Sequence, residues 1–136
     1  MRIMLLGLVL IVTLAAEKEL AKRVIGVWAL TTSVEKHANG ITLTPWDGGS
    51  LSLDANGNVM LYVQNQKTAA SLFGSYSITP ETSMMRWTAA FASSAAFSNA
   101  MRFQVVLWNG SNMVLTSTAT LPDDDEVTTI TTWKRE

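Results

Sequence analysis

Ser50-Leu51-Ser52-Leu53-Asp54-Ala55-Asn56-Gly57-Asn58-Val59-Met60-Leu61-Tyr62-Val63 carries the pattern from which the rest of the chain can be read. Leucine alternates with serine up to Asp54, the period of two that suits a half-buried strand. Asn56-Gly57 then supplies the positive φ angles of a tight hairpin. Beyond it Val59, Leu61 and Val63 compete with Met60 and Tyr62 for the inner face, and the pattern leaves that face open. The segment predicts an antiparallel hairpin, not a strand that feeds a crossover helix.

The same signals continue on both sides. Residues 24–35, 50–54, 58–65, 72–79, 84–91, 101–108, 113–121 and 126–134 read as short strands rich in β-branched and aromatic residues. A second Asn-Gly, at Asn109-Gly110, turns the sixth into the seventh. Residues 17–23 are a polar, helix-tolerant lead-in. The expected fold is all-β: an eight-stranded antiparallel up-and-down barrel, with a sandwich as the alternative. Closure removes exposed edge strands, and eight strands enclose just enough room for side chains or one small ligand.

At 136 residues the chain has the length of one domain, and its 15% charged residues fall below the roughly 25% usual for soluble proteins. There is no cysteine and one histidine, which excludes disulfides, thiolate zinc sites and histidine-cluster metal sites. A formal net charge of -1 offers no footprint for nucleic acid. After Arg2, the run from Ile3 to Leu14 is almost wholly apolar, and Thr13-Leu14-Ala15 provides a small-residue exit. That is the layout of a secretory signal peptide over 1–15; an uncleaved anchor and a capping helix are the other readings. The run is shorter than the roughly 20 residues a membrane helix needs. The expectation is an exported protein, periplasmic or extracellular, with 16–136 as its single barrel domain and no membrane contact after cleavage.

Alternation places Gly26, Trp28, Leu30, Thr32 and Val34 on the inner face of the first strand. Leu51 and Leu53, then Tyr76 and Ile78, then Met85, Trp87, Ala89 and Phe91 follow on the next strands. Met101, Phe103, Val105 and Leu107 are expected inward on the sixth strand, with Arg102, Gln104, Val106 and Trp108 outward; Met113 and Leu115 point inward on the seventh. This interior is aromatic, methionine-rich and uncharged. It suits either an ordinary filled core or a site for one small apolar molecule. The expected ligand-lining set is Trp28, Leu30, Trp46, Tyr76, Trp87, Phe91, Met101, Phe103 and Leu115.

Ile25-Gly26-Val27-Trp28-Ala29-Leu30, with Thr132-Trp133-Lys134-Arg135 ending the last strand, resembles the lipocalin-like domains of the calycin superfamily, in their small bacterial form. Gly49 to Val63 is similar to their second and third strands, and Phe73-Gly74-Ser75-Tyr76-Ser77-Ile78 to their fourth. The resemblance implies that Gly26, Trp28 and Arg135, or else Lys134, close the barrel floor. It also implies that Trp46, in the long loop after the first strand, guards the mouth, and that the protein carries a small hydrophobic ligand. The chain lacks the cysteines and late helix of animal lipocalins. It is nearer in size to streptavidin-type barrels, whose biotin-site residues do not carry over.

Motifs for chemistry are few. His37 stands in a long loop without a recognisable partner. Asp123-Asp124-Asp125-Glu126 lacks the glycine-containing spacing of a calcium loop and reads as a solvated turn. Asn109-Gly110-Ser111 is formally a glycosylation sequon in a hairpin turn. No nucleophile motif or phosphate-cradling loop emerges, so no catalytic residue, metal or cofactor is assigned. Two other functions stay open. An isomerase or cyclase chamber would need an inward ionisable group such as Glu35, Tyr62, Tyr76 or Arg102. A structural or inhibitory secreted domain would have a filled core and an exposed patch containing Trp108. Arg86 and Arg102 would form an anion site only if the facing shifts by one residue.

Overall fold

A computed structural model describes residues 19–93, 101–120, 123 and 125–136, with nothing said of the side chains at 101 and 102. The expected signal peptide lies outside the described residues. The strands are β1 (Gly26–His37), β2 (Thr42–Leu43), β3 (Gly48–Leu53), β4 (Asn58–Gln64), β5 (Ala69–Thr79), β6 (Met84–Ala92), β7 (Met101–Asn109), β8 (Asn112–Thr120) and β9 (Glu126–Arg135). A 3-10 turn, Pro80–Thr82, links β5 to β6. Each strand from β3 to β9 pairs antiparallel with the next, and β1 pairs with both β3 and β9. The sheet is therefore a closed, eight-stranded, up-and-down barrel, with β2 added as a short ribbon on the far end of β1.

Both expected hairpins form, but only the glycine of each Asn-Gly pair takes a positive φ: Gly57 and Gly110 have φ of 81° and 62°, while Asn109 ends β7 opposite Asn112, so that Gly110 and Ser111 make the turn. Asp54 fixes the first turn by accepting bonds from the backbone N–H groups of Asn56 and Asn58 at 2.9 and 2.8 Å. Inside, Leu51, Leu53, Val59, Leu61, Val63, Ala70, Leu72, Met85 and Trp87 join Trp28, Val106, Met113, Leu115 and Trp133 in one core cluster. The open question of β4 is thereby answered: its valines and Leu61 point in, while Met60 and Tyr62 are 60% and 45% exposed.

Two bulges change the facing expected from simple alternation. In β1, Leu30 pairs with Trp133 but Thr32 pairs with Thr132, so Thr31 is an extra residue. Directly paired residues point to the same face, and β9 runs on without interruption. Past Thr31 the inward residues are therefore Ser33, Glu35 and His37, opposite Thr131, Thr129 and Val127, whereas Thr32 and Val34 turn outward. In β6, Phe73 pairs with Phe91 but Gly74 with Ala89, so Ala90 is the extra residue. Phe91 consequently faces out, 58% exposed. On β7 the expected facing is inverted throughout. Gln104 and Val106 are buried at 6% and 2%, while Phe103 and Leu107 are 49% and 52% exposed.

The floor is a stack of two tryptophans between two guanidinium groups. Trp28 is fully buried and its ring lies 6.1 Å from that of Trp108, centroid to centroid. Arg135 covers Trp28 at 4.2 Å, and Arg23 covers Trp108 at 3.8 Å. These cation–π contacts are held by carbonyls: Arg135 donates to Ile25 and Arg23 at 2.7 Å each, and Arg23 donates to Gly110 at 2.9 Å. Trp28 Nε1 donates to the carbonyl of Val24 at 2.9 Å. The helical turn over 19–23 brings Leu20 against the core from below. Gly26 has φ of 147°, and a Cβ there would strike the Arg135 guanidinium.

Candidate functional site

The two ends of the barrel differ in how they are filled. At the floor, Trp28, Leu51, Leu53, Val59, Met85 and Met113 are at most 1% exposed. Toward the other end Glu35, His37, Ser117, Thr129 and Thr131 remain partly exposed. Of these, Ser117 pairs with Thr129, and Thr129 with Glu35. The register therefore sets Glu35, Thr129 and Ser117 side by side on one inner rung. Beside them lie Ser33 and Gln104, the only buried polar residues among those described. In an eight-stranded barrel each strand faces the one four places away. The polar wall of β1, β9 and β8 thus looks across at β6, β5 and β4, which present Trp87, Leu72, Leu61 and Val63.

Within the polar wall two buried atoms have no hydrogen-bond partner: Ser33 Oγ and His37 Nε2. Leaving such a group unpaired costs about 1–3 kcal/mol, and native proteins usually supply a water or a ligand. His37 Nδ1 is bonded to Asp125 Oδ2 at 2.5 Å. Its Nε2 lies 3.4 Å from Glu35 Oε1, in a geometry that makes no hydrogen bond. On its outer side His37 borders a shallow groove with Lys36, Glu126 and Thr128, so it stands at the rim. Among the described residues no group of acidic and histidine side chains could hold a metal ion.

The hydrogen bond that His37 donates to Asp125 is the main cause raising its pKa above the ordinary 6.5; desolvation opposes it, and the charges of Asp125 and Glu35 and the approach to the Glu35 carboxylate add to it. The linked stability is fully present below pH 6.5 and is lost as pH rises through the higher folded-state value. Urea unfolding of the wild type from pH 5.5 to 8.5 is expected to show this decline, and His37→Asn to flatten it. An unchanged slope in the variant would remove His37 as its source.

The expected lining residues do not all come together. Trp87 and Leu115 are buried inward-facing residues, and Leu30 is inward and half-buried. Trp46 is half-buried against the core, in a segment pinned by Asp47 N–H on Gln64 and Asn65 Nδ2 on Pro45. Trp28 belongs to the floor, as does Tyr76, whose hydroxyl is spent on the Asp54 carbonyl at 2.6 Å. Phe91 and Phe103 lie on the outside, the first because of the bulge at Ala90, the second because β7 buries its Gln104 face. The Met101 side chain lies outside the described residues. Sequence reasoning passed over Ser33, left His37 in a loop and Asp125 in a solvated turn, and turned Gln104 outward; for Ser33 and His37 the cause is the insertion at Thr31, which nothing in a period-two pattern marks. Trp108 is half-buried against Trp28, so it forms part of the floor and not of an exposed patch.

Comparison with protein-family models and with curated proteins finds no match to this chain.

Proposed function

We propose that the protein is an exported carrier that holds one small amphiphilic molecule in the mouth half of its barrel. The observation that carries the reading is a buried hydroxyl without a hydrogen-bond partner, Ser33 Oγ, on a wall that faces an apolar one. A wholly apolar ligand would leave it unsatisfied, so the expected ligand adds at least one hydrogen-bonding group to an apolar body. That body would lie toward the wall of Leu61, Leu72 and Trp87, and its polar edge toward Ser33, Glu35 and Thr129. The lipocalin-like resemblance of Gly26, Trp28 and Arg135 supports the same reading, as does the closed barrel.

Native mass spectrometry on protein purified from its own host, beside a denatured control, tests the proposal. A native mass raised by one small molecule and lost on denaturation is the expected result. The neutral amphiphile N-phenyl-1-naphthylamine serves as a second probe and should brighten on binding. Ser33→Ala is expected to weaken that binding about three- to tenfold while leaving the empty protein equally stable or about 1 kcal/mol more stable, because an unpaired buried hydroxyl is gone. An unliganded native mass together with a dark probe overturns the carrier reading.

A second reading is favoured by one observation: Glu35 and His37 are ionisable groups on the inner wall. They equip the chamber for acid–base work on a bound molecule. Its signature is a released molecule whose mass differs from that of the molecule supplied.

A further inference from the structure

The outer surface of β3 to β6 is as apolar as parts of the core. Register aligns Ser52, Met60, Phe73 and Phe91 on one rung across four strands. Met60, Phe73 and Phe91 are 60%, 50% and 58% exposed and form a ridge. On one side of it runs a furrow of about 380 Å³ floored by Ser50, Ser52 and Ser71. On the other runs a furrow of about 280 Å³ over Gly74, Ser75 and Ala90. No charged residue lines either furrow. Soluble monomers rarely leave a continuous apolar patch of this extent in water.

We infer that this ridge and its furrows are the contact surface for a second copy of the chain, related by a two-fold axis. A two-fold contact must be self-complementary, and a ridge flanked by furrows satisfies that: Phe73 of each copy enters the serine-floored furrow of the other. The area suffices. Half-exposed Tyr62, Phe73 and Phe91, with Met60 and the exposed furrow residues Asn58, Ser75, Thr88 and Ala90, offer about 500 Å² per copy, and about 1,000 Å² in total is the lower bound for a specific interface. A membrane surface fits less well, since interfacial elements carry a strongly basic face, no lysine or arginine lines these furrows, and the one arginine of β6, Arg86, lies over the Phe103 ring on β7. The inference is independent of the carrier reading, because every residue it uses points away from the interior.

Sedimentation velocity of the purified protein at 1–100 µM is expected to give a dimer (concentrations of the order natural for such contacts). Phe73→Ser should raise the dimer dissociation constant at least a hundredfold, since symmetry removes the ring from both copies. Leu107→Ser, exposed on β7 outside the furrows, should leave it unchanged. Because Phe73 is half-exposed, the variant is expected to keep the wild-type circular dichroism spectrum. A monomer throughout the range overturns the inference, as does a dimer that Phe73→Ser leaves intact. Sedimentation of the wild type with neutral phosphatidylcholine vesicles, abolished in Phe73→Ser, in place of a dimer would assign the face to lipid instead.

Discussion

Trp28→Ala is expected to lower the free energy of unfolding by about 3–5 kcal/mol, the range for emptying a large buried aromatic site. The side chain is 0% exposed and joins three parts of the chain at once. Its Nε1 bonds the Val24 carbonyl, its face carries the Arg135 guanidinium at 4.2 Å, and its edge meets Trp108 at 6.1 Å. Removing it opens a cavity, orphans a carbonyl and leaves Arg135 over empty space. Equilibrium urea unfolding measures the change, with the midpoint moving and the slope staying constant. A loss below about 1.5 kcal/mol would mean that the floor is sealed mainly by the backbone bonds of Arg135 and not by the indole. Trp28→Phe, which keeps an aromatic ring but loses the second ring of the indole and its hydrogen bond, should cost less than Trp28→Ala.

Gly74→Ala should be nearly as damaging, for the opposite reason. A Cβ at Gly74 would lie on the carbonyl oxygen of Thr88, 2.9 Å from the Ala90 nitrogen and 3.0 Å from the Ala89 Cα. All three are backbone atoms of β6, so no side-chain rotation relieves the clash. Overpacking costs about 1–3 kcal/mol when side chains can shift, and more when they cannot. The expected loss is about 3 kcal/mol or more, read by thermal and urea unfolding. Ser75→Ala, next door and exposed on the outer surface, should change stability by no more than about 0.5 kcal/mol. If Gly74→Ala instead folds with wild-type stability, the β5–β6 contact at the bulge is looser than its geometry states.

The architecture was legible in the sequence because the signals for it are local. Gly57 and Gly110 mark hairpins by the positive φ that each adopts, and Leu51, Leu53, Met85 and Trp87 point inward as alternation places them. The interior of the mouth half was not legible. One inserted residue at Thr31 exchanges Thr32 and Val34 for Ser33, Glu35 and His37, and no residue type at the insertion gives it away. β7 failed for a different reason. Its outer face carries Phe103 and Leu107 beside an apolar patch, so both faces are hydrophobic and the sign of the alternation is lost. The better inward marker there was Trp108, whose partner Arg23 lies 85 positions earlier. Long-range pairings of this kind leave no trace in local pattern.

The extra residue at Thr31 makes the inner chemistry of the mouth a matter of parity. Deleting that threonine would remove the bulge alone, since Leu30, Thr32 and Ser33 would then follow one another in the register they already keep against β9. Flattening the bulge with Thr31 still in place is the change that matters, because it would exchange odd positions for even ones up to the rim. Thr32, Val34 and Lys36 would turn toward the lumen, and Ser33, Glu35 and His37 toward solvent. The same twelve residues thus hold two inner walls, one of hydroxyls and a carboxylate and one apolar with a lysine, and the bulge selects between them.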